Sequence, residues 1–526
     1  MSTSYCHVLQ RVTPHPVDTL KLAIPLTAGA ERRMSAVESP ATGDIIGYVP
    51  SCTAEDLELA ASRARIAQQR WATVPLPERR RIFLRYHDLV LQEQELLLDL
   101  LQLETGKARR HALEEVLDVA IVSRYYALRL ERYLKPKRRR GALPLLTKTV
   151  EYHHPVGLVG IISPWNYPLS LAVSDALPAL MAGNAVILKP DSQTPFIALM
   201  AVRLLEQAGL PADLFQVVPG SGRELGGPLI SNSDFLCFTG STATGRTVAA
   251  QAGHALIKCS LELGGKNPVL VLDDADIERT VEGLVRGCFT NAGQLCVSFE
   301  RLYVQSGIYD CFMSAFVERV KGLNLGHRFD YKPEIGSLIS SEQLNTVQEH
   351  LQDALDKGAV LLAGGKHRPD IGPYFFEPTL ITNVTEAMTL CREETFGPLV
   401  SVYRFERIDQ ALEWANDSSY GLNAAVWTRN AGRGEQLSRQ IQCGTVNVNE
   451  AYAAAWASVD APLGGMKDSG LSRRHGREGI LKYTESRNVA TQRLVPVGPL
   501  SGMSVTSYAR IMTTALHLIR RIPGLG

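Results

Sequence analysis

Residues 156–189, with the sequence VGLVGIISPWNYPLSLAVSDALPALMAGNAVILK, decide the fold. This stretch begins a series of four short strand-like apolar runs, which lie at 158–162, 185–188, 215–218 and 235–238. Helix-like segments such as residues 195–208 separate these runs. Because repeated alternation of strand and helix implies helical crossovers between parallel strands, the pattern predicts a doubly wound α/β domain.

A second set of strand-like runs follows further along the chain, at 269–272, 301–304 and 399–403. The same alternation predicts a second α/β domain in this half of the protein. Upstream, residues 54–103 carry apolar side chains at helical spacing, which predicts helices there.

The composition is that of an ordinary globular protein, with 45% hydrophobic residues, 21% charged residues and a net charge of +1. We expect no nucleic-acid partner, since the one basic run, residues 135–140, is short and interrupted by a proline. The most apolar stretch, residues 169–188, contains Asp175, Pro178 and Asn184, which argues against a membrane span. The chain begins without a secretory signal pattern, and its nine cysteines show no metal-ligand spacing. Reduced thiols, no bound metal and a cytoplasmic location are therefore expected.

One cysteine stands in an unusual polar setting. Cys296 ends the segment FTNAGQLC (289–296), and a second unusual segment, LELGGKNP, occupies residues 261–268. A cysteine thiolate is a strong nucleophile, and a carboxylate such as Glu262 can take a proton from the thiol or from water. A cysteine viewed alone is more often a buried structural residue. The polar neighbours and Gly293, which permits close approach of the backbone, favour a catalytic role.

Polar residues also follow three of the predicted strands. In SPWNYP (163–168), Asn166 can present its amide to a developing oxyanion, and a plain proline-rich turn is the alternative. Lys189 ends the second strand, where the crevice of a parallel sheet binds ribose hydroxyls or phosphate. TGSTATG (239–245) opens a helix whose N-terminus can face a diphosphate, although the segment lacks the G-x-G-x-x-G fingerprint.

Taken together, these segments resemble the aldehyde dehydrogenase superfamily, and the resemblance covers nearly the whole chain. The matching motifs, in family order, are PWNYP (164–168), KP (189–190), FTGS (238–241), ELGGK (262–266), GQLC (293–296), EETFGP (393–398) and PLGGMKDSG (462–470). The last motif has Leu463 where phenylalanine is usual. Seven motifs in one order leave little room for coincidence.

The resemblance implies an α/β fold with a Rossmann-type parallel-sheet cofactor domain, a second α/β catalytic domain and a small β arm for oligomerisation. The implied divisions are a loose N-terminal arm at 1–30, an NAD(P)-binding domain at 31–141 and 156–263, a catalytic domain at 264–465, oligomerisation strands at 142–155 and 482–498, and a C-terminal tail at 499–526. A homodimer or homotetramer is expected.

The resemblance also implies a role for individual residues. Cys296 would attack the aldehyde carbon, and the Asn166 amide and the Cys296 backbone N–H would hold the oxyanion of the resulting thiohemiacetal. After hydride leaves to the nicotinamide, Glu262 would activate the water that hydrolyses the thioester. The implied cofactor-binding residues are Trp165, Asn166, Lys189, Pro190, Asp191, Ser192, Gly240, Ser241, Leu263, Glu394 and Phe396.

The choice of cofactor depends on Ser192, the third residue after Lys189. Many NAD-preferring relatives have a glutamate there, whose charge would repel a 2′-phosphate. Serine removes that charge and offers a hydroxyl, so we expect NADP as the cofactor, with NAD possible. The neighbouring Asp191 opposes this preference if its carboxylate faces the same way.

The substrate is less sharply indicated. Within the superfamily the chain is similar to the second type of bacterial NADP-dependent succinate-semialdehyde dehydrogenase. The better-known succinate-semialdehyde enzymes hold the substrate carboxylate with two arginines, which Ser174 and Thr290 replace here, whereas a substrate serine is retained as Ser458. Either another cation serves, or the natural substrate is different. The segment AYAAAWA (451–457) is expected to line the entry, and its aromatic residues favour an apolar medium-chain or aromatic aldehyde as the alternative.

Two other functions compete with this interpretation. An acylating dehydrogenase would pass the thioester to coenzyme A, but such enzymes usually lack the glutamate that corresponds to Glu262. A non-catalytic nucleotide-binding protein with the same fold would be expected to have lost Cys296 or Glu262, and both are present.

The end of the chain, residues 507–526, carries apolar residues near one helical face with Arg510, Arg520 and Arg521 among them. Docking on the protein's own surface is the expectation for this segment, and a peripheral membrane contact is the alternative.

Overall fold

The structure, a computed structural model, describes residues 33–142 and 146–521. The predicted N-terminal arm at 1–30 lies outside the described residues. The first part of the chain contains a β-hairpin, four helices and two strands of an arm: β1 (Met34–Glu38), β2 (Ile45–Pro50), α1 (Ala54–Trp71), α2 (Leu76–Gln92), α3 (Gln94–Thr105), α4 (Arg109–Leu134), β3 (Lys137–Arg139) and β4 (Thr147–Pro155).

Strands and helices then alternate as predicted. They are β5 (Leu158–Ile162), α5 (Pro168–Val173), α6 (Ala176–Ala182), β6 (Ala185–Lys189), α7 (Pro195–Ala208), β7 (Phe215–Val217), α8 (Gly222–Asn232), β8 (Phe235–Thr239), α9 (Thr242–His254) and β9 (Lys258–Glu262). All five strands are parallel, in the order β9-β8-β5-β6-β7, which confirms the doubly wound domain.

The strand order places the switch point of this sheet between β5 and β8, because the chain continues to one side through β6 and β7 and to the other through β9. Ligands of open α/β sheets bind beyond the carboxyl ends of the strands at this point. The loop after β5 and the loop after β8 both start there. Thr239 of β8 pairs with Glu262 of β9, so Glu262 also lies at this edge of the sheet.

The first sheet is buried on both faces, as expected for parallel strands covered by crossover helices. Leu158, Val159 and Ile161 of β5 are almost fully buried. Each such side chain stabilises the domain by about 1.5–3 kcal/mol relative to leaving it exposed.

The second α/β domain follows β9. Its elements are β10 (Asn267–Val271), α10 (Ile277–Phe289), β11 (Phe299–Gln305), α11 (Tyr309–Lys321), α12 (Ser341–Asp356), β12 (Val360–Ala363), β13 (Thr379–Thr382), α13 (Thr389–Arg392), β14 (Leu399–Phe405), α14 (Ile408–Asn416), β15 (Tyr420–Gly421), β16 (Asn423–Trp427), α15 (Ala431–Ser438), β17 (Thr445–Val448) and α16 (Ala453–Ala457). The sheet order is β12-β13-β14-β11-β10-β16-β17, and only the β12–β13 pair is antiparallel.

The chain then returns to the first domain. The last elements are β18 (Met466–Lys467), β19 (Gly470–Leu471), α17 (Gly476–Leu481), β20 (Thr484–Gln492) and α18 (Val505–Ile519). Strand β19 pairs antiparallel with β9, so this short segment belongs to the first sheet rather than to the arm.

The predicted arm is a three-stranded antiparallel sheet in the order β20-β4-β3. Strand β20 pairs with β4 along its whole length, from Thr484 opposite Pro155 to Gln492 opposite Thr147. All of β20 beyond Thr484 is exposed, and Val489 keeps 42% of its surface accessible.

Helix α18 lies in the tail and has no buried residue. The expectation that the tail docks on the protein's own surface is therefore not met by this helix. Across the described ranges, no helix is long and apolar enough to cross a membrane.

Candidate active site

Cys296 lies in a loop with an unusual backbone. After α10, residues 290–293 form one short 3-10 turn in which Asn291, Ala292 and Gly293 have positive φ angles of 53°, 54° and 74°. Such conformations are costly for residues other than glycine and cluster at functional sites. Gly293 is required here, because a Cβ atom would lie 2.1 Å from the carbonyl oxygen of Gly397. The loop is therefore fixed in one conformation immediately before the thiol.

Cys296, Glu262 and Asn166 line one cavity of about 270 Å³, called here the catalytic cavity. It lies at the switch point of the first sheet, where the second domain covers it. Its complete lining consists of Pro164, Trp165, Asn166, Thr239, Gly240, Ser241, Glu262, Leu263, Gly264, Cys296, Gln343, Glu394 and Phe396. The structure thus brings together residues from five separate sequence motifs that were singled out above.

A buried ion pair fixes the backbone of Asn166. Its backbone oxygen accepts hydrogen bonds from Lys107 Nζ at 2.7 Å and from Asn291 Nδ2 at 3.0 Å. Lys107 also pairs with Glu115, and both side chains are fully buried. Glu115 Oε2 accepts hydrogen bonds from the backbone N–H groups of Leu169 and Ser170. This network fixes the loop that carries the Asn166 amide, whose Nδ2 donates to the Gln294 oxygen at 3.2 Å.

Sequence reasoning did not find Lys107 and Glu115. No local signal marks them, because Lys107 lies 59 residues from its partner Asn166, and Glu115 lies 54 residues from its partner Leu169. Their importance follows from their burial, since a charged pair without solvent is tolerated only with good geometry and further hydrogen bonds.

Glu262 is buried at the end of β9, and its Oε1 has no hydrogen-bond partner among residues 33–142 and 146–521. Burial raises the pKa of its carboxyl to about 7, against the opposing attraction of the Arg474 guanidinium. A Cβ atom on Gly464 would lie 3.2 Å from Oε1, so that glycine keeps the approach to the carboxylate open. An unpaired buried carboxyl with a pKa near neutrality is suited to general base catalysis.

The Cys296 thiol is partly exposed to the cavity, and Asn267 Nδ2 holds its backbone oxygen at 2.7 Å. Burial raises the pKa of the thiol to about 12, with further contributions from Glu394 and Glu262. The resting thiol is therefore protonated, and a nearby base must take its proton when it attacks.

Residues of the EETFGP motif close the catalytic cavity on the side of the second domain. Glu394 Oε1 accepts the Gly265 N–H at 2.7 Å, and burial raises the pKa of this carboxyl to about 8. Phe396 packs edge-to-face against Trp165, with 5.6 Å between the ring centres. The buried Lys266–Glu300 pair fixes this loop, because Glu300 Oε1 accepts the Phe396 N–H at 2.9 Å.

Four predicted cofactor residues, Lys189, Pro190, Asp191 and Ser192, do not line the catalytic cavity and lie at the neighbouring end of β6. Lys189 is buried, and this burial lowers the pKa of its ammonium group. Asp191 Oδ1 accepts the Gln193 N–H at 3.0 Å, so this carboxylate is engaged in its own turn. Ser192 is exposed.

These groups fit a dinucleotide. Ser241 begins α9 and accepts the Thr244 N–H on its Oγ, and the N-terminus of that helix opens at the carboxyl end of β8 beside the catalytic cavity. Such a helix end suits a diphosphate. Lys189 at the end of β6 and Glu394 in the cavity supply a donor and an acceptor for ribose hydroxyls.

Comparison with known proteins agrees with this geometry. The sequence profile of the aldehyde dehydrogenase family matches residues 27–489. The chain belongs to the aldehyde dehydrogenase family.

Relatives and solved structures of this family cover nearly the whole chain. A protein of Mycolicibacterium smegmatis, provisionally named succinate-semialdehyde dehydrogenase (NADP+), is 50% identical over 493 residues, which are 94% of this chain and 95% of that protein. The succinate semialdehyde dehydrogenase of Acinetobacter baylyi is 36% identical over 452 residues, 85% of this chain and 92% of its own. Betaine aldehyde dehydrogenase of Staphylococcus aureus in complex with NAD+ is 31% identical with a TM-score of 0.88, covering 96% of this chain and 100% of that structure.

This aldehyde dehydrogenase has a second cavity of about 270 Å³ next to the first, called here the substrate cavity. Its lining consists of Glu114, Leu117, Asp118, Ile121, Tyr167, Ser170, Arg286, Leu295, Tyr452, Ala453, Trp456 and Ala457. The two cavities are adjacent, because in two places one residue lines the first cavity and its neighbour in the chain lines the second. Asn166 and Cys296 line the catalytic cavity, whereas their neighbours Tyr167 and Leu295 line the substrate cavity. The predicted entry segment 451–457 contributes four of the lining residues.

The three predicted substrate residues do not line this cavity. Ser174 is buried behind the wall and donates to Asp118 Oδ2 at 2.8 Å. Thr290 is buried as well, and its Oγ1 bonds the Tyr452 hydroxyl at 3.1 Å. Ser458 is exposed and donates to the Ala454 oxygen at 2.7 Å, so its hydroxyl is used within its own turn. Direct contact of Ser174, Thr290 and Ser458 with the substrate therefore stays a prediction, and the structure shows their hydroxyls hydrogen-bonded within the protein.

Proposed function

We propose that the enzyme oxidises succinate semialdehyde to succinate with NADP as the preferred cofactor. Three of the motif residues, Cys296, Asn166 and Glu262, share one cavity, and this observation supports oxidation through a cysteine thioester. The relatives named for succinate semialdehyde support the choice of substrate. A dehydrogenase of apolar medium-chain or aromatic aldehydes is the second candidate, favoured by Tyr452 and Trp456 in the substrate cavity.

The reaction would begin with attack of the Cys296 sulfur on the aldehyde carbon, while the thiol proton passes to water in the cavity, so that this step does not require Glu262. Negative charge then develops on the aldehyde oxygen. The Asn166 Nδ2 and the Cys296 backbone N–H would donate hydrogen bonds to that oxygen, and preorganised donors of this kind stabilise the tetrahedral state. Lys107 holds the Asn166 backbone in place, so the amide is oriented before the substrate binds.

NADP bound beside Cys296 supplies the chemistry of accepting a hydride. The groups that would hold it are the N-terminus of α9 with Gly240 and Ser241, together with Lys189 and Glu394. Glu262 would then take a proton from water, which attacks the thioester carbonyl and frees the thiol and the carboxylic acid. Its pKa of about 7 matches this task near neutral pH. Because Glu262 is present and open, hydrolysis is favoured over transfer to coenzyme A.

The preference for NADP is supported by Ser192 and by the conformation of Asp191. The Asp191 carboxylate accepts a hydrogen bond from the Gln193 N–H in its own turn. Ser192, which is exposed beside it, carries no charge. A 2′-phosphate placed there would meet less repulsion than beside a glutamate.

A panel of aldehydes assayed with both cofactors tests the proposal. We expect kcat/KM to be highest for succinate semialdehyde with NADP, above butanal, octanal and benzaldehyde. A higher kcat/KM for octanal or benzaldehyde would favour the second candidate, and an advantage of NAD over NADP would overturn the cofactor assignment.

We also propose that the enzyme is a cytoplasmic homodimer or homotetramer that assembles through the arm. Support for the interface comes from the open surface of β20, and support for the location comes from the need to keep the Cys296 thiol reduced. Light scattering of the purified enzyme should give two or four times the chain mass of 57.6 kDa, and a monomer would contradict the assembly.

A further inference from the structure

The substrate cavity contains one arginine, and no other cationic side chain lines it in the described part of the chain. Arg286 lies in the last turn of α10, and its side chain is 42% exposed. Its guanidinium carbon lies 5.8 Å from the centre of the Tyr452 ring, which orients it across the cavity wall. We propose that Arg286 binds the carboxylate of a short semialdehyde acid and thereby replaces the two arginines that the sequence lacks. This inference rests on the proposed function.

The two carboxylates of the same cavity are already satisfied. Asp118 accepts hydrogen bonds from Trp456 Nε1 at 2.8 Å, from Ser174 and from Ser170. Glu114 accepts the hydroxyls of Tyr452 and Tyr167, and burial raises the pKa of its carboxyl. Both acids are thus held by hydrogen bonds inside the wall, whereas the partner of Arg286, Glu450, does not line the cavity.

Arg286 retains the capacity to bind a second anion. Its Nη2 donates to Glu450 Oε1, and among residues that the structure describes no other hydrogen-bond acceptor is recorded for it. A guanidinium has five N–H donors in a fork that matches a carboxylate. The Arg286–Glu450 pair is partly exposed, and such pairs hold together only weakly. A substrate carboxylate can therefore share Arg286 or displace Glu450.

The location of Arg286 also agrees with this role. Leu295, the residue before Cys296, lines the substrate cavity. Arg286 lies in the last turn of α10, the helix that leads into the Cys296 loop. In this proposal the aldehyde lies at Cys296 and the carboxylate at Arg286. This arrangement selects ω-oxo acids over aldehydes that end in a methyl group.

Kinetics with succinate semialdehyde and butanal, which share a four-carbon chain, test the inference. In Arg286→Gln we expect kcat/KM for succinate semialdehyde to fall about 10- to 100-fold, mostly through KM, because a charge-assisted hydrogen bond is lost. The value for butanal should stay within about 3-fold. Arg286→Lys should restore part of the loss, since it returns the charge without the fork.

Two further variants make the result specific. Arg279→Gln, on the exposed face of the same helix and outside the cavity, should leave both substrates unchanged. Glu450→Gln removes the competing carboxylate, so the KM for succinate semialdehyde should stay equal or fall. An equal loss for both aldehydes in Arg286→Gln, or no loss at all, would overturn the role of Arg286. If the unaltered enzyme itself shows no preference for succinate semialdehyde over butanal, the proposed function fails instead.

A second, independent observation concerns helix α18. At helical spacing its apolar residues cover about half of the circumference, and its polar residues form the other half. The apolar side includes Ile511, Leu516 and Leu518, which are 54%, 63% and 58% exposed. Residues 494–526 contain three arginines and no aspartate or glutamate, although the whole chain has a net charge of only +1.

We propose that α18 binds an anionic lipid surface. An exposed amphipathic helix with a wide apolar face, with Arg510 among its polar residues and with Arg520 and Arg521 directly after its last residue, is suited to lie in the interface of such a membrane. Negative lipid headgroups complement the uniformly basic tail, whereas a docking site on another protein would require a matching acidic groove.

Co-sedimentation with vesicles of phosphatidylcholine, with and without phosphatidylserine, tests this proposal on the full-length enzyme. We expect binding only to the vesicles that contain phosphatidylserine, with at least a 5-fold loss in Ile511→Asp/Leu516→Asp at roughly physiological salt, because both the apolar face and the charge contribute. Leu256→Asp, which removes a 93% exposed leucine elsewhere, is the matched control and should bind normally. No binding, or binding that survives deletion of residues 499–526, would overturn the proposal. A change of oligomeric mass in the double variant, without any loss of lipid binding, would assign the helix to contacts between subunits.

Discussion

The catalytic cavity and the substrate cavity are adjacent and each measure about 270 Å³, but the residues that line them are distributed differently along the sequence. The catalytic cavity is lined by short motifs at strand ends, each of which performs a chemical task that few residue types can perform. The substrate cavity is lined by side chains from α4, α5, α10 and the segment around α16, which meet only in the folded chain. The catalytic residues can therefore be recognised from short sequence motifs, whereas the residues that determine substrate specificity can be recognised only from the packing of the folded chain.

The largest expected effect is in the catalytic cavity. Glu262→Gln should lower steady-state kcat by about 10²–10⁴-fold for every aldehyde, because a general base contributes roughly that much. The first turnover should still produce NADPH, which stopped-flow absorbance would record as a burst. In the unaltered enzyme, hydrolysis should become faster as the pH rises through about 7, since the carboxylate form of Glu262 is the base.

The Gln variant should lose this rise with pH, and its residual rate serves as the control. An unchanged steady-state rate would exclude Glu262 as the water-activating group.

A second prediction concerns the oxyanion. Asn166→Ala should lower kcat by about 10²–10³-fold for all aldehydes alike, because one preorganised donor is lost. NADP affinity and the thermal unfolding temperature, measured in parallel, should change little because the backbone contact to Lys107 remains. A loss confined to succinate semialdehyde would contradict the division between the two cavities.

The cofactor-binding side illustrates what sequence patterns can predict. The alternation of parallel strands and helices in the first domain and the meeting of Cys296, Glu262 and Asn166 were expected from alternation and motifs, whereas the strand order was not. Asp191 was ambiguous, because a sequence does not show which way a carboxylate turns. Only the fold reveals that it accepts the N–H of Gln193.

The substrate side illustrates what such patterns miss. Arg286 was not singled out in the sequence, because its place in the substrate cavity depends on Tyr452, which lies more than a hundred residues downstream. Ser174 and Thr290 were expected at the substrate, and each is hydrogen-bonded to a residue that lines the substrate cavity, Asp118 and Tyr452 respectively. Lys107 and Glu115 were missed for the same reason, since long-range burial leaves no local periodicity.

A moderate effect on the choice between NADP and NAD is expected at Ser192. Ser192→Glu should reduce kcat/KM with NADP about 10- to 100-fold and leave the value with NAD nearly unchanged, because the new carboxylate would repel the 2′-phosphate. Gln193→Glu places the same charge one residue further along and is the matched control. If both variants lose NADP activity equally, general charge rather than position 192 determines the choice.

The smallest effect is expected for Ser458→Ala. This hydroxyl is exposed, bonds within its own turn and does not line the substrate cavity, so kcat/KM for succinate semialdehyde should stay within about 2-fold. Parallel assays with Arg286→Gln would show whether specificity lies in the cavity wall. A large increase in KM for the Ser458 variant would show that this residue contacts the substrate.

Trapping of the intermediate tests the central claim most directly. Glu262→Gln is mixed with NADP and succinate semialdehyde, quenched with acid after the burst, and its peptides are analysed by mass spectrometry. We predict a single succinyl group on the peptide that contains Cys296, in an amount equal to the NADPH of the burst. NADPH formation without this adduct, or a succinyl group on another cysteine, would contradict the account.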